Sequence, residues 1–111
     1  KRTELSNMLL KAVGLGERFS VVVGADAVTE RKPHPDHFRA AVTRAGGVVS
    51  RSVMVGDTAT DVAAARGAGA PVAVVSFGYS DAGAEGLGAD VLLHGYSELA
   101  PACRRLLAAR P

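Results

Sequence analysis

Apolar residues recur at helical spacing first over Thr3–Val13, where Leu5, Leu9 and Val13 lie four apart with Met8 and Ala12 beside them. That period puts them on one face and predicts an amphipathic helix, with Gly14 and Gly16 as stops. The rhythm then changes. Phe19–Val23 carries β-branched Val21, Val22 and Val23 and predicts a buried strand ending at Gly24. Residues 24–35 are polar with two prolines, a loop whose last residue, Pro35, suits a first helical turn. Phe38, Ala41, Val42 and Ala45 continue as a second helix, closed by Gly46 and Gly47. Ser52–Val55 predicts a second strand, followed by an Ala-rich helix through Val62, Ala65 and Arg66 that can lie close against a sheet. Gly67 and Gly69 end it, and Pro71 prevents its return. Val72–Ser76 predicts a third strand. A glycine-rich loop over Phe77–Asp90 follows, with a helical turn near Ala82–Leu87, and then a short strand, Val91–Leu93. Ser97 is placed to cap a last helix with Leu99, Cys103, Leu106 and Leu107 inside. Pro101 falls in its first turns, where a missing N–H does little harm.

Strands alternating with helices predict an α/β fold, a parallel Rossmann-like sheet with flanking helices. The 111 residues suit one domain, and no internal repeat or linker interrupts them. With 5% aromatic residues and no Trp, the core has to rest on Val, Leu and Ala. A net charge of +2, spread without a basic run, gives no reason to expect nucleic acid. No apolar run is long enough for a membrane span, and no signal peptide is visible. The single Cys103 rules out an internal disulfide and fits a reducing, cytoplasmic setting. The chain opens on Lys1 and not Met, so an excerpt of something longer is expected.

The chemistry gathers at two predicted strand ends. Gly56-Asp57-Thr58-Ala59-Thr60-Asp61 sets two carboxylates at a strand-to-helix turn. Oxygen donors there suit Mg²⁺, which takes one or two protein carboxylates and fills its other positions with water and phosphate oxygens. The plainer reading is a capping box, Thr58 at the N-cap and Asp61 at N3. The loop after the first strand carries Asp26 and Lys32. In an open α/β sheet ligands sit beyond the carboxyl ends of the strands, so an ammonium and a carboxylate pair there would suit a phosphate ester with Mg²⁺. Asp26 belongs either to the loop turn or to the rim of that site. His34 and His37 have a spacing that can bind zinc, without a third ligand of the right kind nearby. His94 and Cys103 read as structural.

Arg31-Lys32-Pro33-His34-Pro35, followed by Gly56-Asp57-Thr58-Ala59-Thr60-Asp61, resembles the third and fourth motifs of the haloacid dehalogenase superfamily, in its phosphoglycolate phosphatase-like branch. The resemblance includes the Val-Val-Val-Gly-Ala-Asp stretch, Ala63–Ala70 and the Phe77-Gly78-Tyr79 turn. It implies a Mg²⁺-dependent phosphomonoester hydrolase acting on a small phosphorylated metabolite through an aspartyl-phosphate. By that resemblance Lys32 would hold the phosphoryl group and orient the nucleophile. Asp57 would bind Mg²⁺ directly, Asp61 would support the metal shell through water or by orienting the turn, and Thr58 would offer a hydroxyl or backbone contact.

One departure is large. The family's nucleophile is an aspartate in an Asp-x-Asp motif, and no Asp-x-Asp occurs in these residues. Lys1 looks like the last residue of the family's second motif. The chain is therefore expected to be the C-terminal part of such a core domain, without a cap domain and without the strands of the first two motifs. Alone it should be inactive. The gap between the strand ending at Val23 and the strand ending at Val55 should expose strand edges and apolar faces. Altered pairing, a homodimer or a separate N-terminal half would answer it. The rivals are a non-catalytic Mg²⁺- or phosphate-binding or assembly module and a phosphomutase of the same superfamily. A dinucleotide-binding module is disfavoured, since no strand leads into Gly-x-Gly-x-x-Gly.

Overall fold

The computed structural model describes residues 2–27, 35–77 and 84–109. Four helices are present: α1 (Thr3–Ala12), α2 (Asp36–Arg44), α3 (Ala59–Ala68) and α4 (Leu99–Ala108). Three strands, β1 (Met54–Gly56), β2 (Val72–Val75) and β3 (Val91–Leu93), form one parallel sheet in the order β1-β2-β3. Short 3₁₀ turns fill several connections, among them Ala84–Leu87 inside the glycine-rich loop.

The sheet is built on β2. Val72, Ala73 and Val74 are completely buried, as a central parallel strand covered on both faces requires. Alternation along β2 sorts the core into two layers. Val72 and Val74 pack with Val62 and Ala65 of α3, joined by Met54 and Leu92. Ala73 packs with Leu93 and with Ala102 of α4, joined by Val75, Leu99 and Leu106. Alanines at the helix contacts let both helices lie near the sheet. On α4, Leu107 is exposed and Cys103 only half-buried, so the inner face centres on Ala102 and not on those two.

Local signals explain the element ends. α3 starts on Thr58 with a capping box and stops at Gly69, which takes the left-handed conformation (φ 77°) and returns its N–H to the last turn. Arg39 of α2 donates to the Gly67 carbonyl of α3 at 3.0 Å and joins the two helices. At the amino ends of β2 and β3, one Asp90 oxygen accepts the Val72 N–H at 2.8 Å and an Arg66 N–H at 2.9 Å. Ser97 does not cap α4. Glu98 stands at the N-cap position without capping the helix by its side chain; its carboxylate turns back to accept the N–H groups of His94 and Gly95, which precede α4.

The expected first strand is absent. Phe19 is extended, but Phe19–Val23 joins no sheet. A strand exists only by pairing, and the described residues offer this segment no neighbour. It is held from its sides instead: His37 of α2 bonds the Val23 carbonyl at 2.7 Å, and the Gly24 N–H donates to the Thr3 hydroxyl at 2.9 Å. β1 consequently lies at the edge of the sheet, with Val55 exposed. α1 forms as expected, yet Leu5, Met8, Leu9 and Val13 are between 52% and 61% exposed. Its apolar stripe has no cover among the described residues.

Candidate functional site

The site is assembled from the end of β1 and the first turn of α3. Gly56 closes β1, paired with Val74. Asp57 follows at the carboxyl edge of the sheet and is half-buried. Thr58 stays extended (φ −127°, ψ 163°), and α3 begins at Ala59. This returns the chain sharply and brings Asp61, one helical turn on, back over the end of the strand.

Asp61 is the buried carboxylate here, only 4% exposed. Its Oδ2 accepts the Asp57 N–H at 3.0 Å, the Thr58 N–H at 3.2 Å and the Thr58 hydroxyl at 3.0 Å. The Thr58 oxygen in turn accepts the Asp61 N–H at 3.3 Å and lies 2.8 Å from the Thr60 hydroxyl. The capping box read from the sequence is therefore present. It extends one residue further than a box requires, to the N–H of Asp57 itself. Gly56 makes room for this arrangement: an added Cβ would stand 2.5 Å from Asp61 Cβ and Cγ.

The two candidate carboxylates are thus close in the fold and differ in surroundings. Asp57 lies half-buried at the strand end, while one oxygen of Asp61 is occupied by the turn. Among the described residues no cluster of three or more His, Cys, Asp or Glu could enclose a metal. A zinc or calcium cage would need such a cluster. Mg²⁺ needs fewer protein ligands, and a single carboxylate at a strand end with a second one behind it fits that sparser donor set. Lys32, His34 and the Gly78-Tyr79 part of the aromatic turn lie outside the described residues.

Asp26 proves to be a helix cap in trans. Its Oδ1 accepts the Thr3 N–H, at the start of α1, at 2.6 Å. That backbone hydrogen bond is the main reason its carboxyl lies below the usual 3.8. Glu98 is held below the usual 4.5 in the same manner, chiefly by the His94 N–H and then the Gly95 N–H. His37, a zinc candidate by spacing, spends a ring nitrogen on Val23. The sequence reading missed three features here: the space required at Gly56, the trans cap by Asp26 and the His37 tie. The first had a visible signal, a glycine between a strand and a capping box. The other two join residues 23 and 14 positions apart, and no local pattern announces them.

Comparison with known proteins agrees with the motifs. The sequence model of the family described as haloacid dehalogenase-like hydrolase matches residues 1–75. A phosphoglycolate phosphatase of Caulobacter vibrioides is 46% identical over 111 residues, covering 100% of this chain and 47% of that protein. The chain spans less than half the length of that relative. Among solved structures, a haloacid dehalogenase-superfamily hydrolase from Geobacter sulfurreducens superposes with TM-score 0.75 at 25% identity, over 91% of this chain and 48% of that one. A predicted phosphoglycolate phosphatase from Haemophilus somnus gives TM-score 0.79 at 26% identity, over 86% and 43%. Matched over most of its length by the family's sequence model and over all of it by a relative, the chain belongs to the haloacid dehalogenase-like hydrolases.

Proposed function

We propose that the whole protein to which these residues belong is a Mg²⁺-dependent phosphatase for a small phosphorylated metabolite of the phosphoglycolate kind, acting in the cytoplasm. The observation that carries this reading is the turn at the end of β1, which sets Asp57 at the carboxyl edge of a parallel sheet with Asp61 locked behind it. The 46% identity to a phosphoglycolate phosphatase supports the same reaction class.

In this reading Asp57 would hold the ion, Asp61 would stand behind Asp57, and Lys32 would neutralise the phosphoryl oxygens and orient the nucleophile. Bound Mg²⁺ would supply charge to the phosphoryl oxygens as negative charge shifts onto them. The nucleophile is an aspartate that these 111 residues do not provide in an Asp-x-Asp motif. Its carboxylate oxygen would bond to phosphorus as the ester P–O bond breaks and the alcohol leaves with a proton. Water would then displace the carboxylate and release orthophosphate. The chain reads as the C-terminal part of the catalytic core. The half bearing the nucleophile would complete the sheet beside β1.

The test is phosphate release from 2-phosphoglycolate by the full-length protein. We expect chelation of Mg²⁺ to abolish turnover. Asp57→Ala and Lys32→Ala should each lower kcat by about 10²–10³, the scale for removing one preorganised electrostatic group. The 111-residue chain alone should release no phosphate. Full-length turnover that survives both chelation and Asp57→Ala would overturn the proposal, as would turnover by the 111-residue chain.

A further inference from the structure

We propose that the Val23–Gly24 peptide is a pin between α1 and α2, held by Thr3 on one side and His37 on the other, and that His37 is thereby a positioning residue for the segment that carries Lys32. What Lys32 does with its position rests on the phosphatase reading. The pin itself does not.

A peptide unit is planar and carries one acceptor and one donor on opposite sides. In the Val23–Gly24 unit both are taken by side chains from different helices. His37, in the first turn of α2, places Nε2 2.7 Å from the Val23 oxygen. A carbonyl only accepts, so this nitrogen donates. The Gly24 N–H donates to the hydroxyl of Thr3, the first residue of α1, at 2.9 Å. Thr3 completes an exchange, since its own N–H donates to Asp26. This is the reciprocal pattern of a capping box, made here between residues 21 and 23 positions apart.

Gly24 shows how close the two segments come. It is buried, and it is not among the glycines with positive φ, so its conformation does not call for glycine. Space does. A Cβ there would stand 2.6 Å from the Arg2 carbonyl carbon and 2.7 Å from Thr3 Cα, both backbone atoms that cannot swing aside.

The pin joins two anchors. Val23–Ala27 is fastened to α1 through Thr3. Pro35 and His37 stand at the start of α2, which is fastened to α3: Arg39 donates to the Gly67 carbonyl, and Pro35 lies against Gly67. α3 in turn follows directly on the Asp57 turn. Residues 28–34, Lys32 among them, run in sequence from the first anchor to the second. The His37 bond ties the anchors to each other across 14 residues. It therefore sets the separation of the two ends from which the Lys32 segment departs and returns, and it fixes both ends to the body that bears Asp57. All that the pin requires of residue 37 is a donor at that reach. Glutamine offers one and alanine does not.

Turnover of 2-phosphoglycolate by the full-length protein, measured for His37→Ala and His37→Gln with and without Lys32→Ala, tests the positioning role. Amide hydrogen exchange at Gly24 is the second readout, with the β2 and β3 amides as an internal control of folding. We expect His37→Ala to lower kcat/KM by about 10- to 100-fold, the scale of a misplacement of about 1 Å. Gly24 exchange should quicken by about tenfold or more while the β2 and β3 amides hold. His37→Gln, which keeps a donor, should stay within about threefold of wild type in both readouts. In the Lys32→Ala background His37→Ala should cost less than about threefold further, because residues that act through one group are not additive. If His37→Ala does not fold, Thr3→Val takes its place, with Thr3→Ser as the variant that keeps the acceptor. The positioning role is overturned if His37→Ala lowers both backgrounds alike, for then His37 is merely structural. It is also overturned if folded His37→Ala keeps full turnover, or if His37→Gln is no better than His37→Ala. Wild type that releases no phosphate, or Lys32→Ala that loses nothing, sinks the phosphatase reading of Lys32. The pin is then judged on Gly24 exchange, where quickening in His37→Ala and protection in His37→Gln support it and any other pattern overturns it.

Discussion

A hydrogen bond at Asp26 joins two residues 23 positions apart and makes that junction sensitive to acid. Its carboxylate accepts the Thr3 N–H at the amino end of α1, where a negative charge also meets the positive end of the helix dipole. The bond favours the ionised carboxylate, so the folded-state pKa lies below the ordinary 3.8. The sign follows from linkage. The contribution is fully present above the ordinary value and is lost as pH falls through the lowered one. Glu98 behaves alike below its ordinary 4.5. Asp26→Asn keeps an acceptor oxygen and removes the charge. We expect the urea midpoint of the wild type to fall more steeply between about pH 5 and pH 2 than that of Asp26→Asn, with the remaining slope owed in part to Glu98. Parallel midpoint curves for the two proteins would show that the bond carries no acid-linked stability.

Between elements, buried backbone groups set the order of importance. Asp90 accepts the N–H of fully buried Val72 and also pairs with Arg66 across an exposed surface. Asp90→Ala leaves that N–H without this acceptor, a loss of about 1–3 kcal/mol. Arg66→Ala removes a surface ion pair and should cost about 0–1 kcal/mol. Equal losses in urea unfolding would mean that the ion pair, and not the buried amide, holds the amino ends of β2 and β3 together. The same distinction explains what the sequence revealed. α2, α3, β2 and β3 were legible because local period and glycine stops agree with the tertiary core. The turn at Asp57 was legible as both a cap and a candidate ligand pair, since one spacing serves both. Phe19–Val23 misled because three consecutive valines express a preference for strand, whereas pairing depends on a neighbour far off in sequence. Ser97 misled because it lies inside the 3₁₀ turn Tyr96–Glu98, so α4 starts one residue later, with Glu98 at its N-cap position, whose carboxylate bonds back to the His94 and Gly95 amides and not to the helix.

At the scale of the molecule the core is thin on one side. The largest fully buried side chains are Leu93, Val72 and Val74, and the remaining buried apolar positions are mostly alanines. Among the described residues all but Ala70, in the short connection before β2, belong to the β1–β2–β3 sheet and its helices. Away from it, α1 presents Leu5, Met8, Leu9 and Val13 to solvent, Phe19 is 51% exposed, and β1 keeps an open edge. Each such side chain forgoes about 1.5–3 kcal/mol that full burial would contribute. An open parallel edge also offers unpaired backbone groups to any incoming strand. These features argue that the 111-residue chain is marginal alone and gains cover by association. A second copy supplies apolar surface but no new strands. A segment carrying the two strands expected between Val23 and Val55 supplies both, and so should win when both are present. Sedimentation velocity of the isolated chain should show concentration-dependent self-association together with binding of a hydrophobic dye. Leu9→Lys should reduce both, and adding the amino-terminal half of the full-length protein should abolish both as a one-to-one complex forms. A compact monomer at high concentration that binds no dye would show that the exposed faces of α1 and β1 need no partner.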